Sequence, residues 1–281
     1  QLIEAHLRDG LSVSEMAAAA GYSLYHFIRV FNQVVWHTPY DYLMRRRLSA
    51  AAHELVDGHR RVLDIAVDYQ FNNHETFSRA FKRMFGMQPV QWRERGIIPR
   101  CALMPAISPA YLEHIHHPGF QPPQPTSAPQ RRLAGLMTPL AALPDVVTRL
   151  WHSLQEAQAP RSSERGRAHY FGVTSYLDEQ GAQAFYLAAR ALEPEEAVEP
   201  HWVCQALPAG DYVCMAHPVH PSGLPLTLAY LYHTWLPKAR LQPAYPLEIV
   251  EFGDTPPVAK PAAQVTLWLP VKGIAAANRA P

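Results

Sequence analysis

Two groups of side chains, half a hundred residues apart, carry the types that meet nucleic acid. Tyr25, His26 and Arg29 form the first; His74, Glu75, Ser78 and Arg79 form the second. A guanidinium can clasp guanine O6/N7 or a phosphate. Imidazole, hydroxyl and phenol groups reach base edges and backbone oxygens, and a carboxylate can accept from cytosine N4. A third group, Glu113-His114-Ile115-His116-His117, invites a metal reading, because His114 and His116 share a face if Tyr111–His116 is a strand. Fifteen histidines in one chain produce such clusters by chance, so no metal or other cofactor is expected.

The elements that must present the first two groups come from an internal repeat. Val13-Ser14-Glu15-Met16-Ala17 returns 49 residues later as Val62-Leu63-Asp64-Ile65-Ala66, and Tyr22 answers Phe71. Beyond that the offset is 50, as Phe27, Arg29, Phe31, Pro39 and Tyr42 match Phe77, Arg79, Phe81, Pro89 and Trp92. The extra residue falls between Phe71 and Thr76, where a turn between two helices tolerates an insertion. Each copy reads as a short amphipathic helix, a turn and a second helix. In copy one the first helix spans about Ser14 to Ala20, with Ser12 or Ser14 as cap and Gly21 as stop; the second begins near Ser23. In copy two the helices span about Val62–Tyr69 and Asn73–Phe85, with Phe77, Phe81 and Phe85 at helical spacing. Thr38-Pro39-Tyr40-Asp41 opens a longer helix between them, which carries Arg45-Arg46-Arg47 and ends near Gly58. At roughly 1.5 Å per residue it spans roughly 27 Å, close to the roughly 34 Å turn that separates adjacent major grooves. Two helical hairpins also suit a plain bundle, but the polar groups gathered at both second-helix starts favour helix-turn-helix units. The run Arg45–Arg47 alone is non-specific and suits a solvated helix face.

Composition bounds the rest. Residues 1–98 hold 12 Lys+Arg against 10 Asp+Glu, and the remainder 13 against 14, so DNA binding must come from placed charges rather than bulk attraction. Two of the 27 prolines, Pro39 and Pro89, lie in residues 1–98, so a helix-rich part gives way near Ile98-Pro99 to one of strands and turns. Residues 99–109 read as a linker, and Pro118–Pro129 as a surface loop. No run of eighteen apolar residues is present, so no membrane span is expected. Cys101, Cys204 and Cys214, without ligand spacing, suit a reducing cytoplasm, and no signal peptide is read in the sequence, which opens at Gln1.

Gly21-Tyr22-Ser23-Leu24-Tyr25-His26-Phe27-Ile28-Arg29-Val30-Phe31 resembles the first recognition segment of AraC/XylS-family regulators, and Phe77-Ser78-Arg79-Ala80-Phe81-Lys82 with Phe85-Gly86-Met87-Gln88-Pro89 resembles the signature of the second. The resemblance, of the Rob type, covers residues 1 to about 96. It implies bacterial transcription control, usually activation through RNA polymerase. It also implies double-stranded DNA contacted in two adjacent major grooves at Tyr25, Ile28 and Arg29, then at His74, Glu75, Thr76, Ser78 and Arg79. Members of the Rob type usually carry Trp, Gln and Arg, then Gln-Gln-Thr, so Tyr25, Ile28, His74 and Glu75 imply a different operator. Ile28 suits a thymine methyl.

After Pro109 the pattern shortens. Strands are expected at Tyr111–His116, Arg132–Pro139, His169–Tyr176, Ala184–Ala191, His201–Leu207, Tyr212–His217, Leu247–Phe252 and Ala263–Leu269, with helices at Leu143–Ala157 and Pro225–Trp235. Apart from the first strand, the order is a repeated β-α-β-β unit, hence an α+β antiparallel sheet with helices on one side. The expected organisation is an all-α DNA-binding domain at 1–98, the linker, and a second domain at 110–274. No phosphate-binding glycine loop, nucleophile elbow or metal spacing appears, and no enzyme is expected. Tyr230-Leu231-Tyr232-His233-Thr234-Trp235-Leu236-Pro237, then Pro246-Leu247-Glu248-Ile249-Val250-Glu251-Phe252, resembles the end of GyrI-like effector-binding domains. That implies a pocket for a bulky, apolar, often cationic effector, with Glu248 as its glutamate and Val250 where Tyr is frequent. A carboxylate among aromatics needs a partner, and a ligand cation, aided by faces such as Trp235 and Tyr245, can supply one; Tyr170, Tyr186 and Trp202 are further candidates. The alternatives are a protein-contact or sequestration module and, further off, a small-molecule hydrolase. Two units in one chain permit a monomer or weak dimer.

Overall fold

A computed structural model of the chain describes residues 1–140, 145–158, 169–218, 223–258 and 264–273. Its contacts divide the chain into one compact unit of residues 1–116 with Tyr232–Thr234, and a second that holds the remainder.

The first unit is helical: α1 (Leu2–Ala5), α2 (Val13–Ala19), α3 (Leu24–Val35), α4 (Pro39–Asp57), α5 (Val62–Asp68), α6 (His74–Phe85), α7 (Pro89–Arg95) and α8 (Pro109–Ile115). The repeat is structural as well as textual. Helices α2 and α5 have 7 residues each, and α3 and α6 have 12 each. Caps fix the starts. Ser12 and Glu15 form a capping box, and Ser23, Thr38 and Asn73 each accept a backbone N–H of the first turn. Both turns pass through a left-handed residue, Gly21 (φ 72°) in the first and Gln70 (φ 66°) in the second. Gln70 holds that conformation with its side-chain amide on the Arg8 carbonyl at 2.6 Å.

Helix α4 is the shared spine. Its Leu48, Ala51, Ala52 and Leu55 pack with Ile65, Phe77, Phe81 and Trp92, and its Tyr42 and Leu43 pack with Ile3, Met16 and Val35. The Trp92 indole donates to the Ala52 carbonyl at 3.0 Å, tying α7 to the spine. The arginine run is not a solvated face. Arg47, 5% exposed, donates to the Leu7 carbonyl at 2.9 Å; Arg46 holds Glu4 at 3.0 Å; Arg45 holds Asp41 at 2.8 Å. Burial raises the Asp41 carboxyl, but the His37 hydrogen bond and the Arg45 charge outweigh it and hold the group at about 2. These cations satisfy internal acceptors, so the run is structural. Residues after Ile98 lie on the same spine: Met104 is buried and its N–H donates to Ser49 at 3.0 Å, and the Ile107 N–H donates to Tyr42 at 3.1 Å.

Two expectations fail here. Tyr111–His116 is not a strand but lies in α8 and its C-cap, because Ser108 accepts the Tyr111 N–H at 3.1 Å and Pro109 takes the first helical position. His114 and His116 therefore do not share a strand face. Within Pro118–Pro129, Gln124–Ala128 forms a strand, β1.

The second unit continues with β2 (Arg131–Pro139), α9 (Val146–Gln158), β3 (Tyr170–Tyr176), β4 (Ala184–Ala191), β5 (Val203–Leu207), β6 (Gly210–Pro218), α10 (Gly223–Tyr230), a π turn (Leu231–Trp235), α11 (Leu236–Ala239), β7 (Gln242–Pro243), β8 (Leu247–Gly253) and β9 (Gln264–Lys272). The antiparallel sheet runs β1-β6-β9-β8-β3-β4-β2-β5, with β7 on β9. The duplicated β-α-β-β units are β2-α9-β3-β4 and β6-α10-β8-β9, joined where β3 pairs β8. Each unit is preceded by a further strand, and the two are exchanged: β1 borders β6, and β5 borders β2. The pair β1–β2 recurs 79 residues later as β5–β6. Pro125 is tolerated because β1 is an edge. Among the described residues both helices cover one face, and the other packs Leu133, Phe171, Val173, Leu187 and Ile249 into a core of its own.

The two helix-turn-helix copies are unequally packed, since Phe81 is 0% exposed while its counterpart Phe31 is only half-buried. Phe81→Ala is expected to cost about 3–5 kcal/mol and Phe31→Ala distinctly less. Urea unfolding followed by far-UV circular dichroism checks this; equal losses would contradict it.

Candidate functional site

On the first unit, the amphipathic second helices sort their residues cleanly. Phe77 and Phe81 point into the core, with Phe27 and Phe31 partly buried in copy one. Opposite them, Tyr25 (81% exposed), Ile28 and Arg29 stand out from α3, and His74, Glu75, Thr76 and Arg79 from α6, with Ser78 half-buried. The helix starts add local order. Arg29 and His26 are 3.3 Å apart, and the His26 ring lies 4.8 Å from that of Tyr22. The Thr76 N–H and hydroxyl both donate to the capping Asn73 Oδ1, at 2.8 and 2.9 Å, so Thr76 sits at the open N-terminal end of α6. Arg79 holds Glu75 at 3.0 Å with both side chains largely exposed. Such an exposed pair is worth little, so it leaves the guanidinium able to exchange partners. Asn73, not foreseen as a cap, lies three residues before Thr76, the spacing of a helix N-cap and the N–H it accepts.

On the second unit, a cavity of about 360 Å³ opens between the helices and the sheet. Leu140, Val147, Leu224, Leu228, Val250, Phe252, Val265 and Leu267 give it apolar walls, and Thr174, Tyr186, His217 and Glu248 are its polar members. Glu248 is 6% exposed and accepts from the Tyr176 hydroxyl at 2.8 Å. A carboxylate so buried is stable only with such donors or a cation. The strand register sets the polar members in order: Thr174 of β3 pairs Glu248 of β8 on one side and Tyr186 of β4 on the other. Tyr186 accepts from the Trp151 indole at 3.1 Å, and burial pushes its hydroxyl up to about 12 against that hydrogen bond. On β6, His217 is buried with its Nδ1 2.9 Å from Thr227 Oγ1.

Of the three residues read as effector contacts, the structure brings only Glu248 into this cavity. Trp235, half-buried at the end of the π turn, and Tyr245, 49% exposed in the segment before β8, are not among its lining residues. Tyr170 and Trp202 pack around Trp151 in the core beside it. Thr174, Tyr176 and His217 were not foreseen. They meet Glu248 or the cavity through strand pairing, which leaves no local pattern.

Two family models match the chain. A helix-turn-helix domain matches residues 16–95, and a GyrI-like small molecule binding domain matches residues 123–272. Among similar curated proteins, the Right origin-binding protein of Escherichia coli K12 is 43% identical over 91 residues, 32% of either chain. The regulatory protein SoxS of the same organism is 38% identical over 93 residues, 33% of this chain and 87% of SoxS, and the transcriptional activator AarP of Providencia stuartii is 37% identical over 91 residues, 32% of this chain and 67% of AarP. The chain thus spans about a third of the Right origin-binding protein's length. No described helix is long and apolar enough to cross a membrane. The second half, with its exchanged antiparallel repeats around a glutamate-bearing cavity, and the first, with its paired helix-turn-helix units, place the chain in the GyrI-like small-molecule-binding family, joined to a helix-turn-helix half of the AraC/XylS, Rob type.

Proposed function

We propose that this protein is a transcription regulator that reads double-stranded DNA with α3 and α6 and answers to a small apolar cation held in the Glu248 cavity. Residues 1–98 are the DNA-binding part and residues 110–274 the effector-binding part. The observation that carries the first half is the matched pair of 12-residue helices whose inner faces are aromatic and whose outer faces hold the polar groups. Tyr25, Ile28 and Arg29 read one major groove, and His74, Glu75, Thr76, Ser78 and Arg79 the next. Two reading heads in one chain allow a monomer to cover a site that single-unit proteins cover as dimers. Activation through RNA polymerase in the cytoplasm follows the regulators it resembles, and the chain has no catalytic part in this reading. Glu248, an acid enclosed by apolar walls and accepting from the Tyr176 hydroxyl, carries the second half, since a carboxylate so placed attracts a ligand cation that the apolar walls also suit.

Arg29→Ala and Arg79→Ala are each expected to weaken binding to a selected operator about tenfold or more in a mobility shift, with the fold intact by circular dichroism. A guanidinium on a phosphate also lowers the salt slope by about one, whereas one on a base changes sequence preference instead. Unchanged affinity for both variants would remove the contact assignment.

A panel of lipophilic quaternary ammonium and phosphonium ions is expected to raise the melting temperature of the full chain, and Glu248→Gln to weaken their binding about 10- to 100-fold in calorimetry. A panel without effect points instead to a protein-contact module. Equal affinity of the Gln variant would place the cation away from Glu248.

A further inference from the structure

The polar floor of the cavity contains a donor as well as an acid. Thr174 pairs both Tyr186 and Glu248, so the three residues form one row across β4, β3 and β8, all facing the same cavity. The Tyr186 ring leans from β4 over β3. A Cβ at Gly172 would overlap its hydroxyl, so this glycine is what lets the phenol lie there. The Trp151 indole donates to that hydroxyl at 3.1 Å and fixes it from the α9 side. An indole N–H can only donate, so the phenol oxygen is the acceptor in this bond and its own proton must go elsewhere. Among the described residues none takes it. Burial keeps the group protonated. The phenol is therefore a held donor at one end of the row, with the Glu248 carboxylate at the other. Gly172 pairs Val250, two residues along β8 from Glu248, which sets the ends about 8–10 Å apart.

We infer that Tyr186 determines specificity in this cavity, and that the effector is a cation bearing a neutral hydrogen-bond acceptor, such as a carbonyl or ether oxygen, about 5–8 Å from its charge. The cation pairs with Glu248, the acceptor takes the Tyr186 proton, and the hydrocarbon between them lies against Leu228, Val250 and Phe252. A purely hydrocarbon cation leaves the buried phenol proton without an acceptor, and an acceptor without a cation forgoes the attraction of the Glu248 carboxylate. The inference rests on the Glu248 cavity being the effector site.

Two matched probes test it on the full chain by calorimetry: phenylpentyl-trimethylammonium, and its ketone in which the benzylic methylene is a carbonyl. The native chain is expected to bind the ketone about 3- to 10-fold more tightly. In Tyr186→Phe that preference is expected to vanish or reverse, because the carbonyl loses its hydration with nothing in return, while the hydrocarbon probe, which no longer strands a phenol proton, binds at least as tightly as to the native chain. Glu248→Gln weakens both probes alike. A second readout needs no variant: the stretching band of a 13C-labelled ketone moves to lower frequency when bound to the native chain. An unshifted band, a preference that survives in Tyr186→Phe, or equal binding of both probes overturns the inference while leaving the cavity an effector site. Binding of neither probe overturns both.

Discussion

The pairing of β3 with β8 is the seam on which the second unit depends. It joins two copies of the same β-α-β-β arrangement edge to edge, in the middle of the sheet. The outer ladders, β1 on β6 and β5 on β2, exchange strands between the copies, so neither copy can close its sheet alone. One face of the seam packs Phe171, Val173 and Ile249 into a core. The other carries Thr174, Glu248, Val250 and Phe252 into the cavity. Strand periodicity does this without any special residue, because neighbours along a strand point to opposite faces. A one-residue slip at the seam would move Glu248 into the apolar core and Ile249 into the cavity, so burial on both faces fixes the register.

A comparable economy governs the helical unit. Its two outward helices are alike because their inward faces meet the same spine, α4, which spends its own polar residues internally. Arg46 and Arg47, which look like a basic stripe in the sequence, satisfy Glu4 and backbone carbonyls. Arg29 on α3 and Arg79 on α6 instead stand on exposed helix faces, where a polyanion can reach them. Placed charge thus replaces bulk charge, as a chain with a net charge of +1 requires if it is to discriminate between DNA sequences.

The places where sequence reading fell short share a cause. In Tyr111–His116, Tyr111 and Ile115 would share one face of a strand, yet they also stand one helical turn apart. Six residues are too few to separate the two periods, and the Ser108-Pro109 start decided for a helix. Gln124–Ala128 lay in a proline-rich stretch that suggests a loop, but an edge strand has one side without ladder bonds and can seat Pro125. Trp235 and Tyr245 carried the right chemistry on the wrong surfaces. At the end of the π turn and in the segment before β8, neither lines the cavity.

The sequence by itself determined the paired helix-turn-helix units, down to the extra residue in the second turn. Caps, stops and a 3.6-residue apolar period are short-range signals, and the repeat supplied each of them twice. It also determined the strand-helix order of the second half and marked Glu248. Only the tertiary structure decided that Tyr186, Thr174 and Glu248 share a row, that Tyr176 holds the carboxylate, and that Gly172 makes room for a phenol. Those facts depend on which strands lie side by side and in what register. That choice is made by the collective burial of two apolar faces, and no window of local sequence contains it.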